Sequence, residues 1–300
     1  MCGRVMAARF QYCRKYKQMS ALRIALLTLL TMIAFAGNSV LCRIALKQTS
    51  IDAATFTSIR LVSGAVVLFS IATLLRTGRS GRGNWPSAFA LFAYAAGFSF
   101  AYLSLSAATG ALLLFGAVQA TMIGHGIWSG ERLRTQQLTG LVFALGGLVG
   151  LMLPGLSAPP LFGAVLMLAA GIAWGIYSLR GRESGDPTLV TSGNFMRSTV
   201  FALVLSLLLN STANFDMVGA GFAIASGALA SGLGYAIWYS VLPSLKATNA
   251  ATIQLSVPVI AALGGIIFLG EVVTMRFALA SVAILGGIAL VILSKRQDER

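Results

Sequence analysis

The sequence predicts an all-α polytopic membrane protein with ten transmembrane helices arranged as two inverted five-helix repeats. Three observations predict it. First, 57% of the 300 residues are hydrophobic and only 10% are charged, against roughly 25% charged in soluble domains. Second, the apolar residues come in runs about 18–25 long, enough for a helix to cross ~30 Å of hydrocarbon, whereas a soluble core of this size shows amphipathic stripes. Third, one small feature occurs twice. "IWSGERL" (Ile127–Leu133) and "FLGEVVT" (Phe268–Thr274) each set a Gly-Glu pair after an apolar run.

Taken in order, the first span covers 22–46. Its start, "MSALRIALLTLLTMIAFAG", imitates a signal peptide with an Ala-x-Ala ending at Ala36, but the apolar pattern continues past Gly37 to Leu46 and gives a full crossing. The second, 53–75, stops at the basic, Gly-rich "RTGRSGRGNWP" (Arg76–Pro86). The third and fourth, 86–106 and 109–129, lead to the first Gly-Glu pair. The fifth, 137–153, stops at "LPGLSAPP" (Leu153–Pro160). The sixth to tenth cover 161–180, 188–209, 217–242, 248–269 and 277–294, with the second Gly-Glu pair closing the ninth. Every connection is too short to hold a soluble domain. The expected organisation is therefore a basic cytoplasmic tail at 1–21, one repeat at 22–153, a second at 161–294, and a tail at 295–300.

Sliding Ser104–Leu153 onto Ser244–Leu293 without gaps gives thirteen identities in fifty positions, among them Ala107/Ala247, Gly124/Gly264, Glu131/Glu271 and Leu145–Gly147 on Leu285–Gly287. Upstream, an offset of 137 pairs Arg43 with Arg180 and Arg60 with Arg197, so a three-residue slip lies between the second and third helices of one half. A repeat of five helices re-enters the membrane upside down, a common transporter construction with the solute site near the midplane between halves.

The net charge of +14 sits in tails and short loops, which fits the positive-inside rule rather than a nucleic-acid face. Arg4, Arg9, Arg14, Lys15, Lys17, Arg23, Arg76, Arg79, Arg82, Arg132, Arg134, Arg182, Lys246, Lys295, Arg296 and Arg300 fall on one side, with little beyond Lys47 and Arg276 on the other. Both termini are thus expected in the cytoplasm. Cys2 and Cys13 lie in the tail and Cys42 in a helix, so no disulfide framework is implied, and with the single His125 they give no metal-ligand spacing.

"SLKATNAATIQLSVPVIAALGGIIFLGEVVT" (Ser244–Thr274), with a short loop, a helix with a central Pro258 and a terminal Leu-Gly-Glu, is followed by "AILGGIALVIL" (Ala283–Leu293). With "FAGNSV" (Phe35–Val40) and Arg60, these stretches resemble the drug/metabolite transporter superfamily, in its ten-helix branch of duplicated EamA-type domains. The resemblance covers about 22–294 and is most specific over 226–293. The first half departs from it, with Val118 where Pro258 has its repeat partner. The resemblance implies an inner-membrane carrier that moves small organic solutes outward, with the amino-acid exporters, including those for aromatic amino acids, nearest in look.

Aromatic residues are the leading candidates for a solute cavity. Tyr235, Trp238 and Tyr239 share one face of the eighth helix. Phe98 is the repeat partner of Trp238, with Tyr94 and Tyr102 one turn away on either side, and Trp174 and Tyr177 face together on the sixth helix. Tyr239 and Tyr102, close to helix ends, also suit an aromatic belt. Asn38, Ser39, Gln119 and Gln254 are polar groups inside apolar spans. Each suits a bond to a neighbouring helix, and Asn38 and Gln254 also suit a wet cavity wall. The expected solute-binding set is Asn38, Tyr94, Phe98, Trp174, Tyr177, Tyr235, Trp238 and Gln254. Arg60 and Arg197 lie well inside their helices, where each either attracts a solute carboxylate or snorkels to an interface. Glu131 and Glu271 read as caps at the membrane boundary that order the next helix's amides, with a proton or solute role as the alternative. The glycines of "LGGLVG" (Leu145–Gly150) and "ILGGIA" (Ile284–Ala289) read as close helix packing, within one chain or between two copies in a homodimer.

A carrier working by alternating access is the leading functional reading, its partners being a small solute and the bilayer. A membrane enzyme is the second, but the acidic residues lie near loops or tails, and no Gly-x-x-x-x-Gly-Lys loop or cofactor motif occurs. A receptor or scaffold is the third, and the loops offer it little surface. With no central Asp or Glu in the spans, transport down the solute's own gradient is expected, and a proton-coupled exchanger through His125, Glu131 or Glu271 is the alternative.

Overall fold

The computed structural model describes residues 20–74, 81–130, 135–155, 158–181, 186–245, 250 and 253–298. Glu131, Arg132, Arg134, Arg76, Arg79, Arg182, Lys246, Arg300, Cys2, Cys13 and the basic residues at positions 4–17 lie outside the described residues, as do the side chains of Lys295 and Arg296.

Among the described residues the regular secondary structure is helical. The helices are α1 (Ala21–Gln48), α2 (Ala53–Leu74), α3 (Trp85–Ala101), α4 (Ala107–Trp128), α5 (Thr135–Met152), α6 (Leu161–Arg180), α7 (Pro187–Leu208), α8 (Met217–Ile224, continued through Ala225–Leu233 and Gly234–Val241), α9 (Ser256–Leu269) and α10 (Met275–Asp298). Short polar residues start most of them. The side chains of Ser20, Asn84, Ser106, Asp186 and Asp216 each accept from a backbone amide of the following first turn. Asp52 does the same for α2 through Ala54 and Thr55, both at 2.9 Å. Such caps satisfy amides that hydrocarbon cannot.

Seven of these elements are long and apolar enough to cross a bilayer by that measure alone. The others, α3, α7 and α9, are short or polar. Thr191, Ser192, Asn194 and Ser198 of α7 are buried, as are Ser87 and Ser99 of α3. Those polar faces are covered by neighbours, while apolar rows such as Leu26, Leu29, Leu30 and Ile33 of α1, Val200, Leu203 and Leu207 of α7, or Leu279 and Val282 of α10 turn outward. In lipid that is the stable arrangement, because polar groups are costly there and leucine is not.

Helix pairing shows the inverted repeat. α1 packs on α9 as α6 packs on α4, and α3 packs on α6 as α8 packs on α1. The axis runs between helices that pair with their own counterparts: α2 with α7, α4 with α9, and α5 with α10. In the last pair, a Cβ on either Gly140 or Gly287 would run into the other's carbonyl oxygen, and one on Gly147 would lie 2.8 Å from the Ala283 Cβ. The close packing expected of the glycine stretches is made within one chain by Gly147 and Gly287.

Three boundaries differ from the expected spans. α3 stops at Ala101 rather than continuing to 106, because Ser106 already caps α4. Among its described residues the ninth span is not one continuous helix. Leu255 forms a turn, and Pro258 lies in the first turn of α9 instead of its centre, since proline has no amide to offer a carbonyl four residues back. In α8, Ala225–Leu233 is a π-helix of nine residues, where an α-helix is the default.

Candidate functional site

The centre of the molecule is an aromatic cluster around one buried cation. Tyr94 and Phe98, four apart on α3, present one face inward. Arg60, the eighth residue of α2, reaches them: Nη2 donates to Tyr94 Oη at 2.9 Å, and Cζ lies 4.7 Å from the Phe98 ring centroid and 5.2 Å from that of Tyr94. Both distances are within cation–π range. Arg60 is only 2% exposed. An arginine at a helix centre in a membrane costs about 2.5–3.5 kcal/mol by insertion scales, so its surroundings matter. Among the described residues no carboxylate pairs with it. Snorkelling to an interface, one of the two expectations for Arg60, is overturned.

The repeat partner behaves differently. Arg197 donates to the carbonyls of Gly193, at 2.9 Å, and Arg82, and its Cζ lies 5.9 Å from the Trp85 ring. It turns back to the 81–85 connection, as a long side chain reaching for a polar boundary does.

Around Arg60 the two halves meet. From α1, Asn38 Nδ2 donates to Tyr94 Oη at 3.3 Å, and its Oδ1 accepts from Ser226 Oγ of α8. A glycine beside Ser226 makes the close approach of α8 feasible. Gly227 lies against the Arg60 carbonyl and Ser63 Oγ so closely that a Cβ there would overlap both. From α6, Trp174 stacks on Tyr235 of α8 (5.3 Å, 20°) and on Tyr177 (5.2 Å, 29°), and meets Tyr94 at 4.8 Å. Phe195 of α7 meets Tyr235 at 6.0 Å, and Asn194 Nδ2 is 3.5 Å from Tyr177 Oη. Trp174 is half-buried, whereas Tyr94, Phe98, Tyr177 and Tyr235 are buried.

The structure thus joins Asn38, Tyr94, Phe98, Trp174, Tyr177 and Tyr235 in one cluster. Trp238 connects through Phe35, which lies 6.2 Å from it and 5.5 Å from Tyr235. Gln254 is half-buried just before the turn at Leu255 and, among the described residues, has no hydrogen bond to the cluster. Tyr102 is not a belt residue. It is fully buried, edge-on to Phe98 at 4.7 Å, and its hydroxyl donates to the Ala107 carbonyl. The early end of α3 folds it inward. Tyr239 is also half-buried against the core. Ser39 and Gln119 are buried, while His125 is exposed at the end of α4.

Glu271 does act as a cap, but not for the next helix. Gly270, at φ 62°, ends α9 in a left-handed turn, with the Glu271 amide bonded to the Gly265 carbonyl at 3.1 Å. That turn aims the carboxylate across the repeat axis at α4, where both oxygens accept from the Ala107 amide at 3.1 and 2.9 Å. Arg43 of α1 lies alongside, with Nε 3.5 Å from Oε1, and Nη1 donates to the carbonyls of Tyr102 and Leu103. A cavity of about 230 Å³ opens beside Glu271, against Ser104, Ser106, Thr109 and Thr274. Its walls are mostly helix ends and loops, so it belongs to the membrane boundary rather than to the aromatic cluster.

Comparison with known proteins bears on what such an arrangement does. The sequence profile of the EamA-like transporter family matches residues 161–293. An uncharacterized protein of Pseudomonas aeruginosa is 56% identical over 271 residues, covering 90% of this chain and 94% of its own. The uncharacterized transporter YoaV of Bacillus subtilis is 25% identical over 248 residues, 78% of this chain and 85% of its own. The threonine/homoserine exporter RhtA of Escherichia coli is 31% identical over 129 residues, 42% of this chain and 43% of its own. A solved crystal structure with 18% identity superposes with a TM-score of 0.65 over 93% of this chain and all of that one, which shows the fold.

Proposed function

Because the chain belongs to the EamA-like transporter family, within the drug/metabolite transporter superfamily, we propose that this multi-pass membrane transporter exports amino acids or related small metabolites by alternating access. One observation carries the reading. The aromatic cluster draws Tyr94 and Phe98 from one repeat, and Trp174, Tyr177 and Tyr235 from the other. A solute held there touches both halves, so rocking one repeat against the other opens the site to each side in turn. The rings supply broad apolar contact, and Asn38, Ser226 and Arg60 supply the few polar groups that fix orientation. The solute-binding set is Asn38, Tyr94, Phe98, Trp174, Tyr177, Tyr235 and Trp238, with Gln254 reaching the solute only in another conformation.

The energy source is the solute's own gradient. Among the described residues the cluster holds no carboxylate or imidazole, and arginine does not give up its proton at working pH. The basic residues of the tails and loops support an orientation with both termini in the cytoplasm of an inner membrane, and a reporter fused after Arg300 that works only outside the cytosol would refute that orientation if active.

The test is flux. Purified protein in liposomes is offered a panel of radiolabelled amino acids, including threonine, homoserine and the aromatic ones. Saturable, chemically unchanged passage supports the carrier. Chemical conversion would make the protein an enzyme, and the absence of flux for every solute would end the reading.

A further inference from the structure

Resting on the carrier reading, we infer that Arg60 and Tyr94 together form a carboxylate-binding site, so that the transported solute bears a single carboxylate. Two observations converge. Arg60 is a fully buried cation whose Nη1 has no hydrogen-bond partner among the described residues, although Nη2 is bonded. Tyr94 Oη accepts from both Arg60 Nη2 and Asn38 Nδ2. These bonds occupy its lone pairs and leave its own O–H to be donated. Two adjacent groups therefore each hold a donor with no protein acceptor among the described residues, and one of them is charged.

A carboxylate fits this pair. One oxygen accepts from Nη1 and the other from Tyr94 O–H, with the charge balance closed at one cation to one anion. A phosphate dianion would leave excess negative charge, since Asn38, Ser226 and the surrounding rings are neutral. The rest of an amino acid then lies toward the stacked rings of Trp174 and Tyr235, which supply apolar contact.

The experiment compares matched acids and amides on the full-length protein in detergent: threonine with threoninamide, phenylalanine with phenylalaninamide, and benzoate with benzamide. Thermal stabilisation gives the apparent affinity, and liposome flux is measured in parallel. At least one acid is expected to stabilise the wild type at about tenfold or lower concentration than its amide, the size of one charged hydrogen bond lost. Arg60→Gln is expected to abolish the difference, Arg60→Lys to retain part of it, and Tyr94→Phe, which keeps the ring, to weaken acid binding without affecting the amide. Equal binding of acids and amides by the wild type, no response to any acid, or an unchanged preference in folded Arg60→Gln would each overturn the assignment. The wild-type comparison decides the matter even where Arg60→Gln does not fold. Flux of amides as fast as acids would refute the carboxylate site and leave the carrier standing; absence of all flux would refute the carrier.

Discussion

Removing the Glu271 carboxylate by Glu271→Ala separates a structural role from a transport role. The side chain is 10% exposed and accepts the Ala107 amide through both oxygens. That is one donor shared between two acceptors, so it counts as one charged hydrogen bond, about 1.5–3 kcal/mol. The carboxylate at the positive end of α4 adds about 0.3–1 kcal/mol. The ion pair with Arg43 adds little, because Nε at 3.5 Å makes no hydrogen bond, and Arg43 keeps its two carbonyl partners. The loss is therefore about 2–4 kcal/mol. At about 2.1 cal/mol/K per residue this lowers Tm by about 3–6 °C. Glu271→Gln, which still offers an oxygen, should lose less than half of that. Thermal unfolding of purified variants in detergent, with Arg43→Met as the second arm of a double-mutant cycle, measures each contribution. An unchanged Tm in Glu271→Ala together with abolished flux would refute the argument and move the carboxylate into the transport cycle.

Four further outcomes are expected. Trp174→Ala and Trp238→Ala should lower flux more than they lower the yield of folded protein, and unchanged flux in both would show that these rings only pack. Gly227→Ala should destabilise by about 1–3 kcal/mol, because its Cβ overlaps the Arg60 carbonyl; a Tm equal to wild type would show that α2 and α8 part easily. Asp52 is pushed up by burial, but bonds from the Thr55 side chain and from the amides of Thr55, Asn214 and Ala54 outweigh this and hold it below its usual 3.8. Its contribution is present above its unfolded pKa and is lost as pH falls through the lower folded value, so wild-type stability should fall in acid below about pH 4 and Asp52→Asn should flatten that fall. Finally, with equal solute on both sides of a liposome, an imposed pH gradient should drive no net accumulation; uphill uptake abolished by a protonophore would make His125, Glu131 and Glu271 the residues to test.

Hydropathy and the Gly-Glu repeat were enough to read the ten helices and their inversion, because both depend on runs longer than any uncertainty in a boundary. The shared face of Tyr235 and Trp238 followed from spacing alone. What spacing could not separate was Arg60 from Arg197. They are repeat partners in similar apolar surroundings, and only the packing of α3 against α2 decides that one is enclosed by rings while the other bends back to Arg82. Phe35 and Phe195 gave no signal, since a phenylalanine facing lipid looks the same in sequence as one facing Tyr235. Spacing could not decide whether Tyr102 faces the cavity or a headgroup belt, because its inward turn depends on where α3 ends. That end is set by Ser106, a capping residue present in the sequence but hidden inside an apolar run.

The π-helical stretch of α8 also bears on how a mutational scan of this protein must be read. Bonds from i to i+5 turn the chain less per residue than bonds from i to i+4. Across Ala225–Leu233 the residues thus lose step with the wheel begun at Met217. A wheel projected from that end assigns Tyr235 and Trp238 to the wrong bearing, although both are buried beside Phe35. Sensitivity to substitution along α8 will accordingly follow two separate 3.6-residue rhythms with a phase jump between them. Inserting or deleting one residue inside the stretch rotates the aromatic end relative to the Asp216 cap, so a single-residue indel there is a rotation of the site, while one in the neighbouring loops is only a change of length.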